Sequence, residues 1–360
     1  MNELSLLEAI TQRASSHWTL EPAPKSPVVV SSRIRLARNV EHLVMPQFQN
    51  EDQSQNVLRL IREASDPILQ TEGLAFYKIN ELDPLDRQIL VEKHLISPEH
   101  AQDQSRRAVL ISGDEKDCVM INEEDHLRIQ TFFPGLQLDQ ALNRANALDD
   151  LLERNLPYAF DEKKGYLTAC PTNLGTGMRA SVMLHLPAMD MTQQTPMIFQ
   201  TLFQVGLVVR GLFGEGSEAV GHFYQISNRT STGIREFEMI QHLSLVTDQI
   251  VEKEMATRRK LKLEAPLRMK DRCGRSYGIL QNAAILSTKE ALERLSDVLL
   301  GKNMGFFSDE EIAGGLVEYL ISAQPGFIQK QNTKKMNEEE RDVVRAELFR
   351  KICKRRFCDV

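Results

Sequence analysis

The feature that most constrains this 360-residue chain is a change of patterning near residue 234. Before it, short apolar runs of period two are interleaved with a few helical stretches. "AVLISG" (108–113), "CVMINEEDHLRIQTFF" (118–133), "SVMLHL" (181–186) and "HFYQISNR" (222–229) predict strands, and "VVVSSRIRLARNV" (28–40) predicts a strand entering a basic loop. Residues 52–66, 83–94 and 136–155 predict helices, and residues 196–213 a helix running into a strand. "YAFDEKKGYLTAC" (158–170) predicts a hairpin turning near Lys164 and Gly165. The first 27 residues predict one helix and a Pro-rich linker, "EPAPKSP". After residue 234 the strand signal fades. A long charged amphipathic helix is expected over 235–265, followed by three helices with capping-box spacing at Ser287/Glu290, Ser308/Glu311 and Asn337/Glu340. Leu292, Leu295 and Leu299 fall on one helix face. The expected class is α+β, a mostly antiparallel sheet flanked by helices over residues 1–255, with an all-helical domain over 256–360.

Composition narrows the function classes. Hydrophobic content of 42% and charge of 26% are ordinary for a globular protein. A formal net charge of −6 argues against bulk attraction to nucleic acid and suits basic partners. No apolar run is long enough for a membrane span, and the N-terminus lacks a signal-peptide core. Cys118, Cys170, Cys273, Cys353 and Cys358 are odd in number, widely spaced and contain no CxxC pair. Neither a disulfide framework nor a zinc site is expected, and the thiols fit a reducing cytoplasm.

The chain has no GxxxxGK[ST], no HRD or DFG set, no HExxH and no GxSxG. What it has is arginines at strand ends and in loops. Arg33 and Arg35 lie two apart and share a side of an extended chain. Arg128, Arg179 and Arg210 stand in distant segments. Each alone also fits a surface salt bridge. As a converging set they would clamp a polyphosphate, because a guanidinium grips phosphate oxygens with a fork of donors. The acidic stretches are "INEEDH", with Glu123, Glu124 and Asp125, and "RGLFGEGSE", with Glu215. Such clusters can hold Mg2+ through water or grip a cationic substrate; each alone also fits a solvated turn.

"SSRIRLARN" (31–39), "NEEDHLRI" (122–129), "CPTNLGTGMRASV" (170–182) and "RGLFGEGSE" (210–218) resemble, in order, the signature segments of the ATP:guanidino phosphotransferases, the phosphagen kinase superfamily of arginine and creatine kinases. Within it the chain is similar to the bacterial protein-arginine kinases (the McsB type). Only 30 residues precede Ser31, whereas the small-molecule kinases carry a helical domain there. "RDVVRA" (341–346) resembles the motif with which the protein-arginine kinases bind phosphoarginine allosterically; alone it also fits a solvated helix face.

The resemblance implies a phosphagen-kinase-like catalytic domain that transfers the γ-phosphoryl group of ATP, with Mg2+, to arginine side chains in proteins. By motif, Arg33, Arg35, Arg128, Arg179 and Arg210 look like the phosphate clamp. Ser31, Ser32, Ile34, His94, Ala180, Ser181, Val182, Met183, Gly211, Leu212, Phe213 and Gly214 would line the nucleotide site. Glu124 and Glu215 look like the carboxylates that hold the substrate guanidinium, with Glu215 also beside the nucleotide. Cys170 would assist them, and Glu123 would orient Mg2+ through water. Arg341, Asp342 and Arg345 would sense phosphoarginine. The same resemblance implies a cytoplasmic homodimer in the stress response, using phosphoarginine as a degradation tag. Its implied partners are a heat-shock repressor, a zinc-containing activator and a Clp-type unfoldase–protease. The alternatives are a small-molecule arginine kinase and a regulatory adaptor that uses the kinase fold for binding.

Overall fold

The structure is a computed structural model that describes residues 3–102, 105–211, 220–308 and 315–353. Its strands are β1 (Val29–Arg38), β2 (Leu74–Lys78), β3 (Ala108–Ser112), β4 (Asp117–Ile121), β5 (Leu127–Pro134), β6 (Phe160–Asp161), β7 (Gly165–Tyr166), β8 (Met178–His185), β9 (Leu207–Arg210) and β10 (Phe223–Asn228). Eight of them form one sheet in the order β2-β3-β4-β5-β1-β8-β10-β9, and β6 pairs with β7. The α+β expectation holds. The run 118–133, expected as continuous strand, is instead two strands. β4 and β5 pair antiparallel, and the chain reverses at 122–126, where Asn122 takes a φ of +59°. β2 was not foreseen; its five residues are too few to show a clear period.

Packing divides the chain into two compact units. One comprises residues 1–24, 31–182 and 227–245, and the other 25–30, 183–226 and 246–360. The first contains α1 (Glu3–Gln12), α2 (Glu51–Thr71), α3 (Pro84–Glu92), α4 (Pro98–Gln102) and α5 (Leu138–Glu153). α2 starts at a full capping box between Asn50 and Gln53 and buries Val57, Leu58, Ile61, Ala64 and Ile68 at helical spacing. α5 lays Ala141, Ala145, Leu148 and Leu152 toward the core and packs on β5. β3 is buried at all five positions, as expected of a central strand. β1 pairs with β5 from Ser31↔Pro134 to Arg38↔Leu127.

The second unit holds α6 (Pro187–Met191), α7 (Thr195–Gln204), α9 (Pro266–Asn282), α10 (Thr288–Asn303), α11 (Leu316–Ser322), α12 (Pro325–Lys330) and α13 (Glu338–Ile352), together with most of α8 (Glu236–Glu264), whose first turns belong to the first unit. Asn337 forms the expected capping box with Glu340, and the Ser287 side chain accepts from the Glu290 amide. Glu311, expected to pair with Ser308, lies outside the described residues. Leu292 and Leu295 are buried with Tyr319, Phe349, Phe223 and Val30 in one cluster, and Leu299 packs against it. Among the described residues no helix is long and apolar enough to cross a membrane.

Candidate active site

The side chains that gather on one face of the sheet follow from strand register. In β1, Arg33 and Arg35 alternate with the buried Ile34 and Leu36. Directly opposite on β5 stand Phe132 and Gln130, and Arg128 faces Ala37, so Arg33, Arg35 and Arg128 share a face. Arg179 lies on β8, the neighbour of β1, with Nε and Nη2 each 3.3 Å from the Ser227 hydroxyl. Burial first, then Arg33, Arg128 and Arg179, pulls the Arg35 pKa well below its ordinary value, against the opposing charge of Glu123. The Nε of Arg35 is buried and has no hydrogen-bond partner among the described residues. Four guanidiniums this close, one with an orphaned buried donor, are arranged for a polyanion.

The surroundings hold this face in shape. Arg33 lies over the Phe132 ring at 5.5 Å, and Trp18 stacks on that ring at 5.6 Å. Gln130 donates to the carbonyls of His94 and Leu95, both at 2.9 Å. Burial, with Arg33 and Arg35, holds the His94 imidazole down to about 3, so the ring is neutral and adds no charge to the cluster. Arg38 has the other parity. It is fully buried, bonds Asp149 at 2.6 Å and stacks on Tyr166 at 3.5 Å. Parity divides the expected nucleotide residues too. Ile34, Ala180 and Val182 are core. Ser32 donates to the Gly135 carbonyl and accepts from the Gln137 amide, which pins a turn. Ser181 donates to the Arg33 carbonyl at 3.4 Å, and Ser31 is buried in β1.

The reversal at 122–126 supplies the carboxylates. Glu123 pairs with Arg128 and accepts from Ser97 at 2.5 Å. Burial would raise its pKa, yet Arg128 and Ser97 hold it down to about 2, so it stays ionised. Glu124 is exposed, and its pKa is raised by partial burial and by Asp125 and Glu123, against Arg128 and Arg179. Asp125 is buried and accepts from Asn39 Nδ2 at 2.6 Å and from the Ala169 amide at 2.7 Å. Asn39 in turn accepts from the His126 amide at 2.9 Å. This pair fastens the Glu124 turn to the segment that carries Cys170. Asn39 was missed, and Asp125, read only as part of the acidic cluster, was given no positioning role; both stand inside the motif segments, but their partners are far away in sequence.

Cys170 is partly exposed, with its sulfur 3.0 Å from the Thr172 hydroxyl. The loop that follows is pressed against two backbones. At Gly175, with φ +108°, a Cβ would lie 2.8 Å from the Ser231 carbonyl oxygen. At Gly177, with φ +67°, it would lie 2.6 Å from the Ala37 carbonyl oxygen. The Ser231 amide and hydroxyl both reach the Thr172 carbonyl at 3.1 Å, and Ala37 donates to the Gly177 carbonyl at 2.9 Å. These glycines seat the loop between Cys170 and Arg179 by close approach.

Comparison with known proteins shows the family of the chain. Residues 56–257, more than half of the chain, match the family described as ATP:guanido phosphotransferase, C-terminal catalytic domain. A protein-arginine kinase of Symbiobacterium thermophilum is 47% identical over 349 residues, which cover 95% of this chain and 97% of the relative. The chain belongs to the ATP:guanido phosphotransferases. Residues 266–356 match the family described as Protein-arginine kinase McsB C-terminal domain. A protein-arginine kinase of a Geobacillus strain is 45% identical over 357 residues, 96% of each chain. Among solved structures, a duplicated taurocyamine kinase of Schistosoma mansoni with bound transition-state-analogue components matches 66% of this chain at 27% identity and a TM-score of 0.59. This chain spans 34% of that duplicated protein. Lombricine kinase, at 24% identity and a TM-score of 0.56 over 66% of this chain and 72% of its own, shows the same fold.

Of the remaining residues expected from the motifs, the described ones lie in the second unit. Arg210 ends β9 and Gly211 follows it, while Leu212, Phe213, Gly214 and Glu215 lie outside the described residues. Met183 packs against the C-terminal cluster. In α13, Arg345 is buried and donates to the carbonyls of Ala323 at 2.7 Å and Leu286 at 2.9 Å and to Asp342. Arg341 is half-buried and donates to the Met336 carbonyl at 2.9 Å. Cys118, Cys273 and Cys353 are free and buried, and burial pushes the Cys273 and Cys353 thiols up to about 12.

Proposed function

We propose that this chain is a protein-arginine kinase: it transfers the γ-phosphoryl group of ATP to the guanidinium of arginine side chains in proteins. The observation that carries this is the gathering of Arg33, Arg35, Arg128 and Arg179 on one sheet face, with the unpartnered Nε of Arg35. Near-full-length similarity to relatives named protein-arginine kinase supports the protein substrate.

In the proposed chemistry the arginines bind the phosphates and neutralise charge on the transferring group. Glu124 and Glu215 grip the substrate guanidinium and hold one nitrogen in line with the γ-phosphorus. A P–N bond forms as the P–O bond to ADP breaks, and the nitrogen's proton passes to Glu124. The raised pKa of Glu124 makes it a better base than an ordinary glutamate. Cys170 assists by position beside the guanidinium. Among the described residues no group of three or more His, Cys, Asp or Glu could hold a metal. Glu123, ionised and held by Ser97 and Arg128, would orient Mg2+ through water at the ATP phosphates. When bound it supplies further charge neutralisation. Arg210 and Gly211 are assigned to the nucleotide on their motif.

The same proposal extends to a cytoplasmic homodimer whose C-terminal helices sense phosphoarginine, with Arg345 framing the site and Arg341 offering the more accessible guanidinium. It includes a degradation-tag role in the stress response, with a heat-shock repressor, a zinc-containing activator and a Clp-type unfoldase–protease as partners. The test of the central activity is mass spectrometry, under non-acidic conditions, of a protein mixture treated with enzyme and Mg-ATP. Phosphoarginine is expected, and Glu124→Ala should abolish it while ATP still binds. Phosphorylation of free arginine alone would instead indicate a small-molecule kinase.

A further inference from the structure

The turn that carries Glu124 is fastened to an apolar neighbour. The Val40 amide donates to His126 Nδ1 at 3.0 Å, which leaves the ring proton on Nε2, 2.9 Å from the Val44 carbonyl oxygen. Burial lowers the His126 pKa, with the Val44 carbonyl opposing, so this neutral tautomer is the stable one. The buried Gln49 donates to the Val44 carbonyl at 2.8 Å, and Gln47 donates to the carbonyl of Glu124 itself at 2.7 Å. Residues 46–48 close into a short 3-10 turn. The segment is thus locked, yet it holds Phe48 80% exposed and Val44 39% exposed. Along the chain beside them Glu41, Glu51 and Asp52 are exposed carboxylates, as is Glu124 on the turn that Gln47 holds. The exposed His42 imidazole lies 3.5 Å from the Glu41 carboxylate, and Arg106 is engaged by Glu51 and the Gln49 carbonyl.

We infer that Phe48 and Val44 form a docking surface for the substrate polypeptide, taking an apolar side chain a few residues from the target arginine. This deepens the proposed function and rests on it. Three observations favour a substrate chain as the occupant. The surface adjoins the turn whose carboxylate is assigned to the guanidinium, because Gln47, next to Phe48 in the chain, donates to the backbone carbonyl of Glu124. Its acidic rim complements an arginine-bearing segment. Its apolar area is also too small for a self-interface. An aromatic side chain and part of a valine offer roughly 200 Å², against about 800 Å² per partner in a stable complex. That area suits one side chain of a transient ligand and a selectivity of about tenfold.

The test compares two synthetic peptides, each with one arginine, that differ only in a Leu or a Ser placed two to four residues from it. Phosphoarginine formation is measured with wild-type enzyme and with Phe48→Ser, each first checked for an unchanged thermal melt. The wild type should favour the Leu peptide about tenfold in kcat/KM, mainly through KM, and in Phe48→Ser the ratio should fall to about one. Equal use of both peptides by the wild type, or an undiminished preference in Phe48→Ser, overturns the docking surface and leaves the kinase assignment standing. A change of oligomeric state in Phe48→Ser overturns it in favour of a self-interface. No phosphoarginine on either peptide or on any protein would fail the proposed function itself and the docking surface with it.

Discussion

Two arginines three residues apart on one strand have opposite roles. Arg35 is a half-buried cation set mainly among cations, with a buried Nε and a lowered pKa, and it awaits an anion. Arg38 is a buried cation with a dedicated carboxylate. Arg35→Met is expected to raise the KM for ATP at least tenfold while stability holds or improves. Arg38→Ala leaves Asp149 buried without its partner and should cost about 3–5 kcal/mol of stability in urea titration. At Glu124 the expectation concerns pH. The base must be ionised and its pKa is raised, so the acid limb of the rate profile lies above that of an ordinary glutamate. Asp125→Asn keeps an acceptor for Asn39 and Ala169 but removes a neighbouring negative charge. It should lower the Glu124 pKa and move the acid limb to lower pH; an unmoved limb would exclude Glu124 as the titrating base.

At the scale of the element, the loop from Cys170 to Arg179 works through backbone contact. Adding a methyl at Gly177 drives it into the Ala37 carbonyl, and both Gly175 and Gly177 have positive φ. Gly177→Ala is expected to destabilise by about 1–3 kcal/mol and to lower kcat through displacement of Arg179. Cys170→Ser should reduce the rate without abolishing it, because transfer to nitrogen needs no covalent enzyme intermediate. Total loss with a trapped phosphocysteine would make Cys170 a nucleophile. How much of this was legible in the sequence depends on how local each cause is. The period-two parity of Arg33 and Arg35, the capping box at Asn337 and the N-cap at Ser287 are local and were visible. The break at Asn122 falls in the polar stretch 122–126, which reads in sequence as the exposed part of one strand. The bonds of Asp125 to Ala169 and of Gln47 to Glu124 span 44 and 77 residues, and no spacing rule announces them.

At the scale of the molecule, packing and sequence position part company. The C-terminal helices share their unit with residues 25–30 and 183–226. Phe223 at the start of β10 and Val30 in β1 are buried with Leu292, Leu295, Tyr319 and Phe349. A chain cut at residue 255 therefore keeps the strand ends and loses the side chains that cover them. Each large apolar side chain so exposed forfeits about 1.5–3 kcal/mol, and a domain's whole stability is about 5–15 kcal/mol. The fragment 1–255 is expected to aggregate or to melt without a cooperative transition, although it contains every residue of the arginine cluster. Scanning calorimetry and size exclusion of the fragment beside the full chain check this. A monodisperse fragment with a sharp melt would mean that the C-terminal helices contribute little to the fold around those strand ends, and their role would then have to be regulatory alone.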